Sequence, residues 1–194
     1  MKTITYLCLL MAFSACSKSE PDNNNNPVIS PETFVQFTIK SGEHYCDKSS
    51  IQPVSLTEMK FKVKFDSSAI YQTKEPANQN DINKLYGFSE GIDNHVNSAR
   101  IGWNWNKAEL HLYAYTYVNS VRDSKEIAVV AIGAETDCAI RVSGNEYIFT
   151  VENKTVSMPR ALNTSMVSGY KQYPYFGGDE VAPNDIQIYI RDLK

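Results

Sequence analysis

The chain has no block of basic residues. Its 19 Lys and Arg are scattered among 22 Asp and Glu, and the formal net charge is -3, a balance that argues against nucleic acid as a partner. The apolar stretch from Ile4 to Phe13 is too short to cross a bilayer as a permanent helix. No window carries a 3.6-residue apolar repeat and no segment repeats along the chain, which excludes helical bundles, solenoids and propellers. Gly-rich phosphate loops and zinc-ligand spacings are also missing, so nucleotide and zinc chemistry lack their residues. What is abundant is aromatic: twelve Tyr and eight Phe bring the aromatic content to 11%, a bias toward β structure. At 194 residues the chain has room for one hydrophobic core.

The N-terminus reads as an export signal, with Lys2 followed by the apolar stretch and then Ser14 and Ala15. Phe13-Ser14-Ala15-Cys16 resembles the lipobox of bacterial lipoproteins, with Phe13 where Leu is common. The resemblance implies cleavage after Ala15, lipidation of Cys16 and a lipid-anchored cell-envelope address, expected at the outer membrane with the surface or periplasmic side open. An ordinary signal peptide with an incidental Cys is the alternative. Residues 16–31, which include Asn23-Asn24-Asn25-Asn26, have the composition of a flexible tether, and the folded domain is expected over 32–194. Of four cysteines, Cys46 and Cys138 are left for that domain. Either they pair, closing a loop of roughly ninety residues worth about 4 to 5 kcal/mol, or they are two buried thiols.

Beyond the tether the apolar period is two. Val35, Phe37 and Ile39 share a face, and Met59, Phe61, Val63 and Phe65 alternate with Glu58, Lys60, Lys62 and Lys64. Ala99, Ile101, Trp103 and Trp105 alternate with Arg100, Gly102 and Asn104. Further strands are expected at Glu109–Val118, Lys125–Ile132, Cys138–Val142, Glu146–Val151 and Ile186–Ile190, with Gly144-Asn145 as a two-residue hairpin turn. Short strands without intervening helices predict an all-β fold, an antiparallel two-sheet β-sandwich. Two stretches, Tyr71–Asn97 and Pro159–Asn184, read as long irregular loops.

From Arg100 through Ile190 the order of segments resembles the C-terminal half of a concanavalin A-like jelly roll, the fold of legume lectins, laminin G domains and several polysaccharide lyases. The residues that carry the likeness are the Leu110–Thr116 strand, a paired strand, a hairpin ending at Val151, and Ile186-x-Ile188-x-Ile190 after Phe176-Gly177-Gly178. The mature sequence is also similar to small uncharacterised bacterial lipoproteins. The jelly-roll resemblance implies glycan binding or cleavage on one sheet, sometimes with calcium.

The strand around Tyr113 is the most informative. Leu110, Leu112, Ala114, Thr116 and Val118 take one face, so His111, Tyr113, Tyr115 and Tyr117 take the other. Tyrosines about 6 to 7 Å apart make a platform on which sugar rings can stack; the alternative is that both faces are covered and the rings are core. Arg100 is placed to share that face and to bind a carboxylate or sulfate, or else to pair with a protein acid. Trp103 and Trp105 are expected in the core. Asp179 and Glu180, like Asp93-Asn94-His95, are loop groups of a kind that can hold calcium; no other cofactor is indicated. The expected function is therefore a lipid-anchored glycan-binding or surface-interaction domain. A lyase acting on acidic polysaccharide is the enzymatic alternative, with Arg100 neutralising a uronate carboxylate and His111, Tyr113 or Tyr115 moving protons. Against it, the Gln-x-His signature of alginate lyases is missing, as is the Glu-x-Asp-x-x-Glu set of sandwich-fold glucanases. A structural envelope component that meets another protein is the third reading.

Overall fold

A computed structural model describes residues 33–194. Cys16, the leader and the tether lie outside the described residues. Within them run β1 Val35–Ile39, β2 Pro53–Leu56, β3 Glu58–Phe65, β4 Asn83–Glu90, β5 Ser98–Asn106, β6 Glu109–Val118, β7 Val121–Val130, β8 Thr136–Ser143, β9 Glu146–Val151, β10 Lys154–Pro159, β11 Val167–Gln172 and β12 Ile186–Leu193. They form two six-stranded antiparallel sheets, ordered β1-β12-β3-β8-β9-β10 and β2-β11-β4-β5-β6-β7. The expected all-β sandwich of jelly-roll type is the observed fold.

The alternation read in the sequence supplies the two inner faces. Phe61, Val63 and Phe65 of β3, with Ile140, Phe149 and Ile188, face Ile101 and Trp103 of β5 and Leu110, Leu112 and Ala114 of β6, all buried. Trp105, at the end of its strand, is only partly buried against this core. On the opposite face of β3, Lys62 pairs with Asp137 at 2.7 Å and Lys64 lies over the Tyr189 ring.

Four strands escaped the sequence pattern. The loop expected at Tyr71–Asn97 contains β4, whose residues from Leu85 to Glu90 are all buried, so covering on both faces erases the alternation. The second expected loop contains β11, a polar run interrupted by Gly169. β2 is four residues long, and β10 extends past the hairpin expected to end at Val151. The Gly144-Asn145 turn joins β8 to β9, and only Gly144 takes positive φ, at 58°.

A pairing of Cys46 with Cys138 does not form; both are free, buried thiols. Cys46 bridges to Ile39 on β1 and Cys138 lies on β8, with β12 and β3 between. Four strand spacings amount to about 19 Å, far beyond the reach of a disulfide.

One buried ion pair ties the sheets together. Arg160, after β10, donates from Nε and Nη2 to the two carboxylate oxygens of Glu90 at the end of β4, both at 2.7 Å, with side-chain exposures of 0% and 1%. The Tyr147 hydroxyl also donates to Glu90, and Arg160 Nη1 donates to Gly144 O at 2.9 Å. Removing one partner of such a pair strands the other charge out of water. Arg160→Ala is expected to lower unfolding stability by about 3 to 5 kcal/mol, measured by urea denaturation; a loss below about 1 kcal/mol would show the pair to be no better than a surface bridge.

Candidate functional site

The outer face of the β2-to-β7 sheet carries a groove of about 610 Å³, and Arg100 of β5 with Tyr115 and Tyr117 of β6 lines it. Register explains the grouping, because Arg100 is opposite Tyr115 and Ser98 is opposite Tyr117. Arg100 and the tyrosines therefore point the same way, while Ile101 and Ala114 point into the core.

His111 and Tyr113 are not in that groove. Gly102 lies directly opposite Tyr113, and Ile82 packs onto it so closely that a Cβ there would come 2.5 Å from Ile82 Cγ2. The segment ahead of Ile82 is fixed to the same sheet by Asn106 Nδ2 donating to Asn80 Oδ1 at 2.7 Å. It forms a wall that divides the expected row of rings. Beyond the wall Tyr113 donates to Asn104 Oδ1 at 3.2 Å, and His111 Nε2 lies 3.2 Å from Asn106 O. The continuous four-residue platform expected from alternation is thus cut in half by chain from a stretch read as loop.

Sequence-distant residues complete the groove. Lys84 comes from β4, Arg122 from β7 and Lys171 with Gln172 from β11, joined by Tyr45, Tyr173, Tyr175 and His95. A register shift between Lys84 and Tyr86 turns Lys84 outward. Its backbone exchanges two hydrogen bonds of 2.9 Å with Tyr175, and its Nζ lies 5.1 Å from the centre of the Tyr115 ring. Gly177 makes room for that ammonium, since any side chain there would overlap it.

The electrostatics are unusual for a chain with net negative charge. Lys171 is paired with Asp192 at 2.8 Å, but among the described residues no carboxylate is ion-paired with Lys84, Arg100 or Arg122. Arg100 is 5% exposed, and its Nε and Nη2 are buried without a hydrogen-bond partner among the described residues. Its guanidinium carbon lies 5.4 Å from the centre of the Tyr115 ring, so the π face supplies part of the lost solvation. Burial, helped by the charges of Arg100 and Arg122, pushes the Lys84 ammonium down to about 8. Burial also pushes the Tyr115 phenol up to about 12, so it stays protonated.

Asp179 and Glu180 do not form the expected calcium site. Both Glu180 oxygens are occupied, accepting from the Lys74 and Glu75 amides at 2.8 and 2.9 Å and from Asn78 Nδ2 at 2.9 Å. Those bonds hold its carboxyl below the usual range and staple two loops. Asp179 stands apart on the groove rim. Asp93 accepts from the His95 amide at 2.8 Å within its own turn. Among the described residues no three such side chains gather for a metal ion.

Of these groups the sequence pointed to Arg100, Tyr115 and Tyr117. Tyr173 and Tyr175 lie in the stretch read as the second irregular loop. Lys84 and Arg122 gave no local signal, because their proximity is made by strand order.

No family model matches this sequence, and no curated protein matches it. Solved structures do match in three dimensions. Alginate lyase vAL-1 from Chlorella virus superposes with a TM-score of 0.52 at 11% identity, over 82% of this chain and 82% of that one. Alginate lyase AlyC3 gives 0.54 at 10% identity, over 84% and 77%, and the same enzyme in complex with dimannuronate gives 0.51 at 10% identity, over 84% and 76%. At this identity the likeness establishes the jelly-roll fold.

The groove's charge state can be read directly. With the lysines reductively methylated using carbon-13, one NMR signal should titrate near pH 8 and vanish in Lys84→Arg. Titration of every lysine near the ordinary 10.5 would refute the desolvated placement of Lys84.

Proposed function

We propose that this protein binds acidic polysaccharide, with the carboxylate of a uronate residue seated on Arg100. The observation that carries the reading is the Nε/Nη2 edge of that buried guanidinium, which meets no hydrogen-bond acceptor among the described residues. The same edge on Arg160 holds the Glu90 carboxylate through two parallel hydrogen bonds, so the chain itself shows what such an edge accepts. Two such donors match a planar carboxylate. Lys84 and Arg122 supply further positive charge, and tyrosine rings offer the C–H faces of the sugar a place to stack. Binding across a sheet is also compatible with the alginate-lyase-like fold, in which AlyC3 has been captured with dimannuronate.

In this reading Cys16 carries the lipid that holds the domain at the cell envelope, through the tether that precedes β1. The lipobox-like Phe13-Ser14-Ala15-Cys16 supports it, and two or more acyl chains make such anchoring stable.

Titration calorimetry with oligomannuronates, oligogalacturonates and neutral oligosaccharides of equal length tests the binding. Acidic oligomers should bind and neutral ones should not, and Arg100→Lys should weaken binding roughly ten- to hundred-fold. Equal affinity for neutral chains, or an unchanged Arg100→Lys, would overturn the reading.

Lys84 favours a second reading, in which the same groove is a lyase. A neutral amine above pH 8 beside a uronate could take the C5 proton while Arg100 neutralises the carboxylate and the Tyr115 phenol protonates the leaving oxygen. The C5–H and C4–O bonds break and a C4=C5 double bond forms. The two readings separate by pH. Binding alone loses strength as pH rises past about 8, because the Lys84 charge disappears, whereas lyase turnover increases there as the base is released. Unsaturated-uronate absorbance that rises through pH 8 and is lost in Lys84→Met would establish the lyase; no absorbance on alginate or pectate would retire it.

A further inference from the structure

We infer that Tyr45 forms a second subsite of this groove, a fixed stacking platform for a sugar farther along the chain whose carboxylate sits on Arg100. The inference rests on the acidic-glycan reading of the groove. Tyr45 is 68% exposed, yet its position is set from several sides. Its backbone bridges to Tyr175, which in turn bridges to Lys84. The neighbouring His44 accepts the Phe176 amide at its carbonyl, 2.8 Å, and its Nδ1 lies 2.8 Å from Phe176 O. The His44 ring stacks on Tyr175 with 9° between planes and centroids 5.2 Å apart, and the Tyr45 ring meets Tyr175 edge-on at 4.9 Å. On the other flank Glu43 O accepts the Ala182 amide at 3.0 Å, and Ala182 O accepts from Gly42 at 2.8 Å.

An exposed aromatic ring on an ordinary surface loop loses rotamer freedom when a ligand orders it. The Tyr45 ring, propped on Tyr175, has surrendered much of that freedom already, which is what makes rigid tyrosines effective contact residues. It is part of the wall of the groove that holds Arg100. From β5 to β4, to Tyr175, to Tyr45 is three strand spacings, about 14 Å. A single uronate on Arg100 cannot span that distance, whereas a short oligomer can. The platform therefore reads chain length and the apolar face of a sugar, while Arg100 reads charge.

The experiment is calorimetry on the full chain in detergent, titrated with mannuronic acid and with oligomannuronates of two to six residues. It is run on the parent, Tyr45→Ala and Tyr45→Trp. Tyr45→Ala should weaken the longest oligomers about three- to ten-fold more than it weakens the monomer. Tyr45→Trp should keep the oligomer affinity, and its indole emission should shift with oligomer but not with monomer. A Tyr45→Ala protein that binds every length like the parent, or loses equally at every length, would overturn the platform and leave the Arg100 site standing. A parent protein that binds no uronate of any length would overturn the groove reading itself.

Discussion

A positive charge held almost out of water, with one edge unfilled, is the constraint around which the site is built. Arg100 is 5% exposed, and among the described residues no carboxylate hydrogen-bonds to its guanidinium. Burying such a group is costly unless its donors are satisfied. The fold tolerates it because β5 is an interior strand hydrogen-bonded on both sides, so the backbone beneath Arg100 cannot easily yield. Gly87 lies opposite Arg100 in β4, where a Cβ would clash with the β5 backbone. The Tyr115 ring offers its π face in place of water. In the acidic-glycan reading proposed above, a desolvated, preorganised donor pair of this kind loses little on meeting an anion.

The rest of the sandwich can be understood as scaffolding for that arrangement. Interleaved aromatics between the sheets fix the height of β5 and β6. The Glu90–Arg160 pair clamps the end of β4 to the segment that follows β10, and β4 carries Lys84. Loops then make the walls: Ile82 over Gly102 on one side, and the Tyr45–Tyr175 pair at the rim. The likeness to alginate lyases shows that this architecture is a known jelly roll.

Much of the fold was legible because one face of most strands is core. The alternation of β3, β5 and β6 gave their positions and faces nearly residue by residue. β4 and β11 escaped because the first is covered on both sides and the second is polar with a glycine inside. The site was half legible. Periodicity along β6 fixed which way Tyr113, Tyr115 and Tyr117 point, but which of them share a cavity depends on Ile82, thirty or so residues earlier, crossing the sheet. Lys84 and Arg122 are neighbours of Arg100 through strand order, which local patterning does not encode. Cys46 and Cys138 show the same limit: loop length said what a bond would be worth and nothing about the strands between them.

The central claim is that the Arg100 edge awaits a carboxylate from outside the chain. A crystal structure of the protein grown with an acidic disaccharide would test it most directly. The account predicts a planar carboxylate lying across Nε and Nη2 of Arg100, with both at normal hydrogen-bond distance. Finding that edge already filled by a carboxylate or carbonyl of the protein itself would contradict it.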